Sequence, residues 1–255
     1  MRILLAVLLL CASTAAQAAT ADDIFALYAN GQYEQAAQAG EASHSAAGLA
    51  IAARAVLADE VLRDSPCLPC LERAEKLARA AIAADPRQAF AHVWLAVALG
   101  YQARVIGMVK ARYRDYPAQS KASLDAAVAE DLKNAYAVSA LGGWHIEIVR
   151  GGGAMLARLL YGATESDALG LFDRADRLAP GNVAVRYQVG LSLAGFNAAK
   201  YRDRITTELK AAVSGTAETA YEKKIQGRAQ ELLGLMTPGA QDEFDSLVRK
   251  YQGFP

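Results

Sequence analysis

Two cysteines three residues apart, Cys67 and Cys70 in Ser65-Pro66-Cys67-Leu68-Pro69-Cys70, are the most reactive pair in the sequence. A CxxC pair can do redox work, contribute to a zinc site, or close a turn. Redox work of the thioredoxin kind needs a strand before the motif and a parallel sheet around it, and here helical patterns stand on both sides. Zinc needs two further ligands, and the sequence has neither a second CxxC nor an HxxxH. In an exported chain the pair is expected as a disulfide. Its loop is too short for a large entropic gain, so its expected use is to fix a turn. A thiol–disulfide oxidoreductase built on the same pair is the weakest of the three functional readings.

Other reactive groupings are sparse. The three histidines, His44, His92 and His145, fall in different parts of the chain. His145 and Glu147 are two residues apart and cannot share a helix face, so His145 is expected as a half-buried, locally hydrogen-bonded position. No GxSxG, HExxH or P-loop pattern occurs, and Gly151-Gly152-Gly153 is not followed by the Lys-Ser/Thr of a phosphate cradle. The chain is therefore expected not to be an enzyme, with no catalytic residue, cofactor or metal. Arg104, Lys110, Arg112 and Arg114 form a basic run that reads as a solvated face; an acidic partner or a membrane surface is its other reading. Trp94 and Trp144 read as core, with partner anchoring the lesser reading.

Such residues have to be positioned by helices. Alanine is abundant and β-branched runs are scarce after the N-terminus, a composition that favours helix. Lys and Arg total 27 against 27 Asp and Glu, which argues against a nucleic-acid binder. The opening stretch has Arg2, an apolar run from Ile3 to Ala12, and Ala16-Gln17-Ala18 as a small-x-small site. It reads as a cleaved Sec-type signal peptide over residues 1–18, and a periplasmic location follows from it. Cys11 follows Leu10, where a lipoprotein signal would want a small residue. Beyond it no stretch approaches 18 unbroken apolar residues, so no transmembrane span is expected.

The remaining residues, 19–255, read as a single helical-repeat domain with an insert near 150–165. The turns Asp85-Pro86-Arg87-Gln88-Ala89, Asp131-Leu132-Lys133-Asn134-Ala135 and Ala179-Pro180-Gly181-Asn182-Val183 begin 46 and 48 residues apart. Ala81, Ala127 and Ala175 precede them in register, and Leu95-Ala96, Leu141-Gly142 and Val189-Gly190 follow. A fixed period of this size is the signature of stacked helix pairs, and small residues in register allow close crossings. One helix is expected to run from residue 89 to 113 and to be broken by Pro117. The next is expected over 121–130. The three glycines should form a loop or sharp bend, with a short helix from Ala154 to Gly162 after it. Residues 201–213 and 217–236 should form a solvent-facing pair that caps the stack.

Leu27-Tyr28, Gly31, Tyr33 and Ala36 follow the pattern L-Y-x-x-G-x-Y-x-x-A, which resembles the helix-turn-helix core of a tetratricopeptide repeat. Leu141-Gly142-x-Trp144-His145-x-Glu147-Ile148, followed by a helix ending Leu160-Tyr161-Gly162, is similar to the regulator-of-microtubule-dynamics proteins and their bacterial relatives. The resemblance covers roughly residues 21–195. It implies an all-α, tetratricopeptide-like α-solenoid of stacked antiparallel helix pairs that works by binding. It does not imply a microtubule role, because the signal peptide sends the chain elsewhere.

The first helices of successive units would then line a concave groove. His92, Tyr136, Ser139 and Arg186 occupy the first turns after the junctions, off the core faces, and are the expected contacts for a protein or peptide partner. Arg186 would pair with a partner carboxylate. The alternative is a small ligand held in a pocket between the long helices.

Overall fold

The computed structural model describes residues 19–63 and 66–254, and the expected signal peptide lies outside them. The described residues form thirteen helices and no strand. In chain order they are α1 (Ala21–Ala29), α2 (Tyr33–Ser43), α3 (Ala46–Val61), α4 (Leu68–Ala84), α5 (Ala89–Ile106), α6 (Met108–Tyr113) and α7 (Tyr116–Glu130). There follow α8 (Ala135–Tyr161), α9 (Glu165–Leu178), α10 (Val183–Asn197), α11 (Arg202–Ser214), α12 (Ala220–Leu235) and α13 (Gln241–Tyr251). The fold is an all-α helical-repeat solenoid.

The junctions form for local reasons. At the end of α4 the Asp85 carboxylate accepts the Arg87 backbone N–H, and at the end of α7 Asp131 accepts that of Lys133. Such turns stop the helix and satisfy donors it would otherwise leave orphaned. Asn134 and Asn182 then cap α8 and α10, their side-chain oxygens accepting from Ala137 N and Val185 N at 3.0 and 2.9 Å. The small residues that follow sit where neighbouring helices cross. A Cβ on Gly142 would come within 2.7 Å of the Phe172 ring of α9, and one on Gly190 within 3.1 Å of Leu209 of α11.

The helices sort into two layers. Around the inside, α1 packs on α3, α3 on α5, α5 on α8, α8 on α10 and α10 on α12. The outer helices α4, α7, α9 and α11 each pack on the inner helix next to them. The inner layer also closes: α12 touches α1, where Gly31 lies against Ala220, and Tyr221 packs with both the N-terminal and the C-terminal apolar clusters. Arg228 of α12 donates to the Val61 and Leu62 carbonyls that end α3. After α13, residues 252–254 fold under the ring. Gln252 donates to Leu191 O, its carbonyl accepts from Arg104, and Gly253 abuts the Tyr101 ring. The expected solvent-facing cap is thus a closing segment.

Two local expectations are corrected and a third, the bend at the glycines, is narrowed to one residue. The helix expected over 89–113 is divided by Gly107, whose φ of 84° no helix accepts, into α5 and α6. Helix α7 begins at Tyr116, with Pro117 in its first turn, where a missing N–H costs nothing. Gly151 and Gly152 stay helical, and the bend falls at Gly153 alone, with φ 74° and ψ 155°. By length and composition α5 could cross a membrane, but half of it is buried against α3, α4, α7 and α8.

Candidate functional site

The inner helices enclose a cavity of about 200 Å³, to which all six contribute side chains. Its floor and walls come from apolar and small residues, among them Leu57, Val93, Val97, Gly100, Ala140 and Gly143. The larger features are aromatic: Tyr28 of α1, Trp94 of α5, Tyr136 and Trp144 of α8, and Tyr221 of α12. Trp94 and Trp144, the two tryptophans of the chain, pack in or against the apolar core as expected, and both also face the cavity.

At one end stands Arg54 of α3. Its guanidinium carbon lies 4.3 Å from the Tyr28 ring centre, 5.3 Å from Trp94, 5.6 Å from Phe25 and 5.7 Å from Tyr136. Cation–π attraction to several rings holds it without a counter-ion. Among the described residues no carboxylate pairs with Arg54, and its buried Nε has no hydrogen-bond partner. Burial pushes the Tyr28 phenol up to about 12, with Arg54 opposing, and burial likewise raises Tyr136. These phenols are neutral at ordinary pH and supply no base.

The other end is charged but internally balanced. Glu147 lies 3.5 Å from Arg104 and 2.5 Å from Arg150. Burial pushes its carboxyl up, but the two guanidinium groups outweigh that and hold it below the usual carboxylate range. The Trp144 indole donates to Pro117 O at 3.0 Å, which fixes the ring against the wall.

The four expected contact residues do not share one surface. Tyr136 and Ser139 line the cavity; the Tyr136 hydroxyl accepts from Asn182 and Ser139 donates to Tyr136 O. His92 faces the outside, beside Arg79, Leu95 and Ser123, with Nε2 2.8 Å from Pro86 O. Arg186 turns into the fold, and its expected role is corrected. Its Nη1 lies 2.9 Å from both Asp176 and Glu208, and its Nε donates to Pro180 O. Arg204 meets the same two acids, so the Arg186 charge is already balanced within the fold rather than held out to a partner.

Cys67 and Cys70 are bonded, with Cα atoms 5.2 Å apart, and Cys67 caps α4. The Glu60 carboxylate accepts the Cys67 N–H at 2.7 Å. Glu60 and the two sulfurs lie within 4.8 Å of one another, but bonded sulfurs offer a metal no thiolate. His145 is buried deeper than expected, and its Nδ1 accepts the Thr164 N–H at 3.1 Å. Burial lowers its pKa, so the ring is neutral.

The sequence matches the family described as Regulator of microtubule dynamics protein 1-3 over residues 53–237. The chain belongs to that family. No curated protein matches it. The match begins just before Arg54 and ends after α12, so the family's domain supplies the whole cavity except Tyr28. Within it, one clue to Arg54 was visible beforehand. It is the sole charge between Ser45 and Asp59, on a helix whose other residues there are apolar or small. The part played by Tyr221 had no such signal, since it depends on closure of the ring.

Proposed function

We propose that this family member is an exported, non-catalytic binding protein whose ring cavity holds a compact ligand with an apolar, aromatic-compatible body and one anionic group. The observation that carries this reading is Arg54, a half-buried guanidinium among four rings with no acidic partner among the described residues. A charge so placed has the strongest call for an anion of any group in the cavity. A polypeptide partner, the other reading, fits the same cavity through a terminus or a projecting side chain, because α12 meeting α1 closes the inner face. The tetratricopeptide kinship belongs to this proposal and rests on the Leu27-Tyr28-Gly31-Tyr33 pattern. Export to the periplasm rests on the signal at residues 1–18. A microtubule role, despite the family's name, is left out on that ground.

The two cavity tryptophans make the test direct. Energy transfer from them to 8-anilinonaphthalene-1-sulfonate, an aromatic anion, should be saturable. Arg54→Gln should weaken that binding by about 1.5–3 kcal/mol, the worth of a charged hydrogen bond. The uncharged analogue N-phenyl-1-naphthylamine should bind both proteins alike. Leu159→Ser, remote from the cavity, serves as control for probe held on the outer surface. Equal sulfonate affinity in the Arg54→Gln protein would remove Arg54 as the anion site.

A further inference from the structure

Two of the long inner helices end in the same way. After α5, Gly107 turns at φ 84° into the short helix α6; within α8, Gly153 turns at φ 74° into residues 154–161. Nothing lies within 4 Å of a Cβ on either glycine, so the backbone angle and not crowding calls for glycine there. The two short segments adjoin, because the Met108 methyl sits over Gly151.

Both segments bury small residues and expose large ones. Ala111 and Ala157 face inward, while Val109 is 85% exposed, Tyr113 92%, Met155 79% and Leu159 76%. Met108, Leu156 and Leu160 are exposed as well. A helix covering a water-soluble core does the reverse. Contiguous exposed apolar surface of this kind marks a contact with something else.

The charge around the patch has one sign. Residues 104–114 and 148–164 contain no Asp or Glu. Lys110, Arg112, Arg114 and Arg158 are exposed, and among the described residues none of them forms an ion pair. Short apolar helical faces, an exposed tyrosine and unpaired cations side by side match the headgroup boundary of an anionic bilayer, where apolar side chains enter the acyl edge and Lys and Arg meet phosphate. We propose that α6 and residues 154–161 together dock the protein on an anionic phospholipid surface, peripherally and without spanning it. A protein partner or a second copy of the chain would be the other occupant of such a patch, but neither explains the run of unpaired cations as directly.

Vesicle flotation with the full chain tests this. The protein should float with vesicles of phosphatidylcholine mixed with phosphatidylglycerol and stay behind with phosphatidylcholine alone. Met155→Ser with Leu159→Ser should reduce flotation by about tenfold or more, since two apolar side chains that would enter the acyl edge are lost. Lys110→Glu and Arg158→Glu should each reduce it by about fivefold or more, and added salt should do the same to the native protein. All four positions are exposed, so circular dichroism and the melting temperature should hold. Native protein that stays behind with the anionic vesicles overturns the proposal. So does flotation undiminished in the Ser variants, equal flotation with both lipid mixtures, or a native dimer by light scattering that the Ser variants dissolve.

Discussion

Arg228 of α12 donates one guanidinium nitrogen to the Val61 carbonyl at 2.9 Å and the other to the Leu62 carbonyl at 3.0 Å, tying the end of the third helix to the twelfth. The last carbonyls of a helix have no partner within it, and a cation there also meets the negative end of the helix dipole. This contact holds the ring of inner helices shut. Arg228→Met keeps packing against Tyr251 and removes both bonds. It should cost about 2–4 kcal/mol in denaturant unfolding. Tryptophan emission should also shift to the red, because both indoles line the cavity, while the helical dichroism is kept. Unchanged stability and emission would mean that residues 252–254 close the ring without Arg228.

Adjacent glycines in α8 should behave oppositely. Gly142→Ala puts a methyl 2.7 Å from the buried Phe172 ring and should cost about 1–3 kcal/mol. On Gly143 the nearest atom is Ser192 Oγ at 3.5 Å, an ordinary contact. Gly143→Ala should therefore be neutral or stabilise by up to ~1 kcal/mol, through helix propensity. Thermal melts of the two variants decide it, and equal destabilisation would contradict the close α8–α9 crossing.

Asp176 carries a pH signature. Burial, together with the Glu208 carboxylate, pushes its pKa from 3.8 up to about 6, against the pull of Arg186 and Arg204. Its Oδ1 lies 2.9 Å from Arg186 Nη1 without forming a hydrogen bond, so that contact is ionic. A folded pKa above the unfolded one means stability from this group is full below pH 3.8 and is lost as pH rises through about 6. The stability of the native protein relative to Asp176→Asn should thus fall by on the order of 2 kcal/mol across that window. Denaturation midpoints measured for both proteins over the range check it; a flat or rising difference contradicts it.

The Cys67–Cys70 bond closes a very small loop, so Cys67→Ser with Cys70→Ser should cost about 2 kcal/mol or less. Thiol trapping of the native protein should find no free thiol, and probe binding in the cavity should survive the double change. Insulin reductase activity that Cys67→Ser abolishes would reinstate the oxidoreductase reading.

The repeat junctions were legible in the sequence because each is written within a few residues: Asp85 and Asp131 close their turns locally, and Asn134 and Asn182 cap the helices that follow. Tyr136 and Ser139 were legible by register from those junctions as inner-face positions, though not as part of an enclosed cavity. Arg186 was misjudged for the opposite reason. Its own helix leaves it on a free face, and only α9 and α11, arriving from either side, bring Asp176 and Glu208 to it. Closure of the ring was illegible on the same principle, since nothing near Arg228 in sequence names Val61 as its partner. The Gly151-Gly152-Gly153 triplet marks a break, but three consecutive glycines do not say which one bends.

In an open stack of repeats each unit meets only its neighbours, so units can be gained or lost at the ends and unfolding can fray from either one. Contact of α12 with α1 removes that freedom. Helices could not be added or dropped between them without changing the circumference, so the number of units is fixed by geometry. Contacts between residues some 167 positions apart also raise the contact order, which delays folding until both halves exist and makes the domain unfold as one cooperative body.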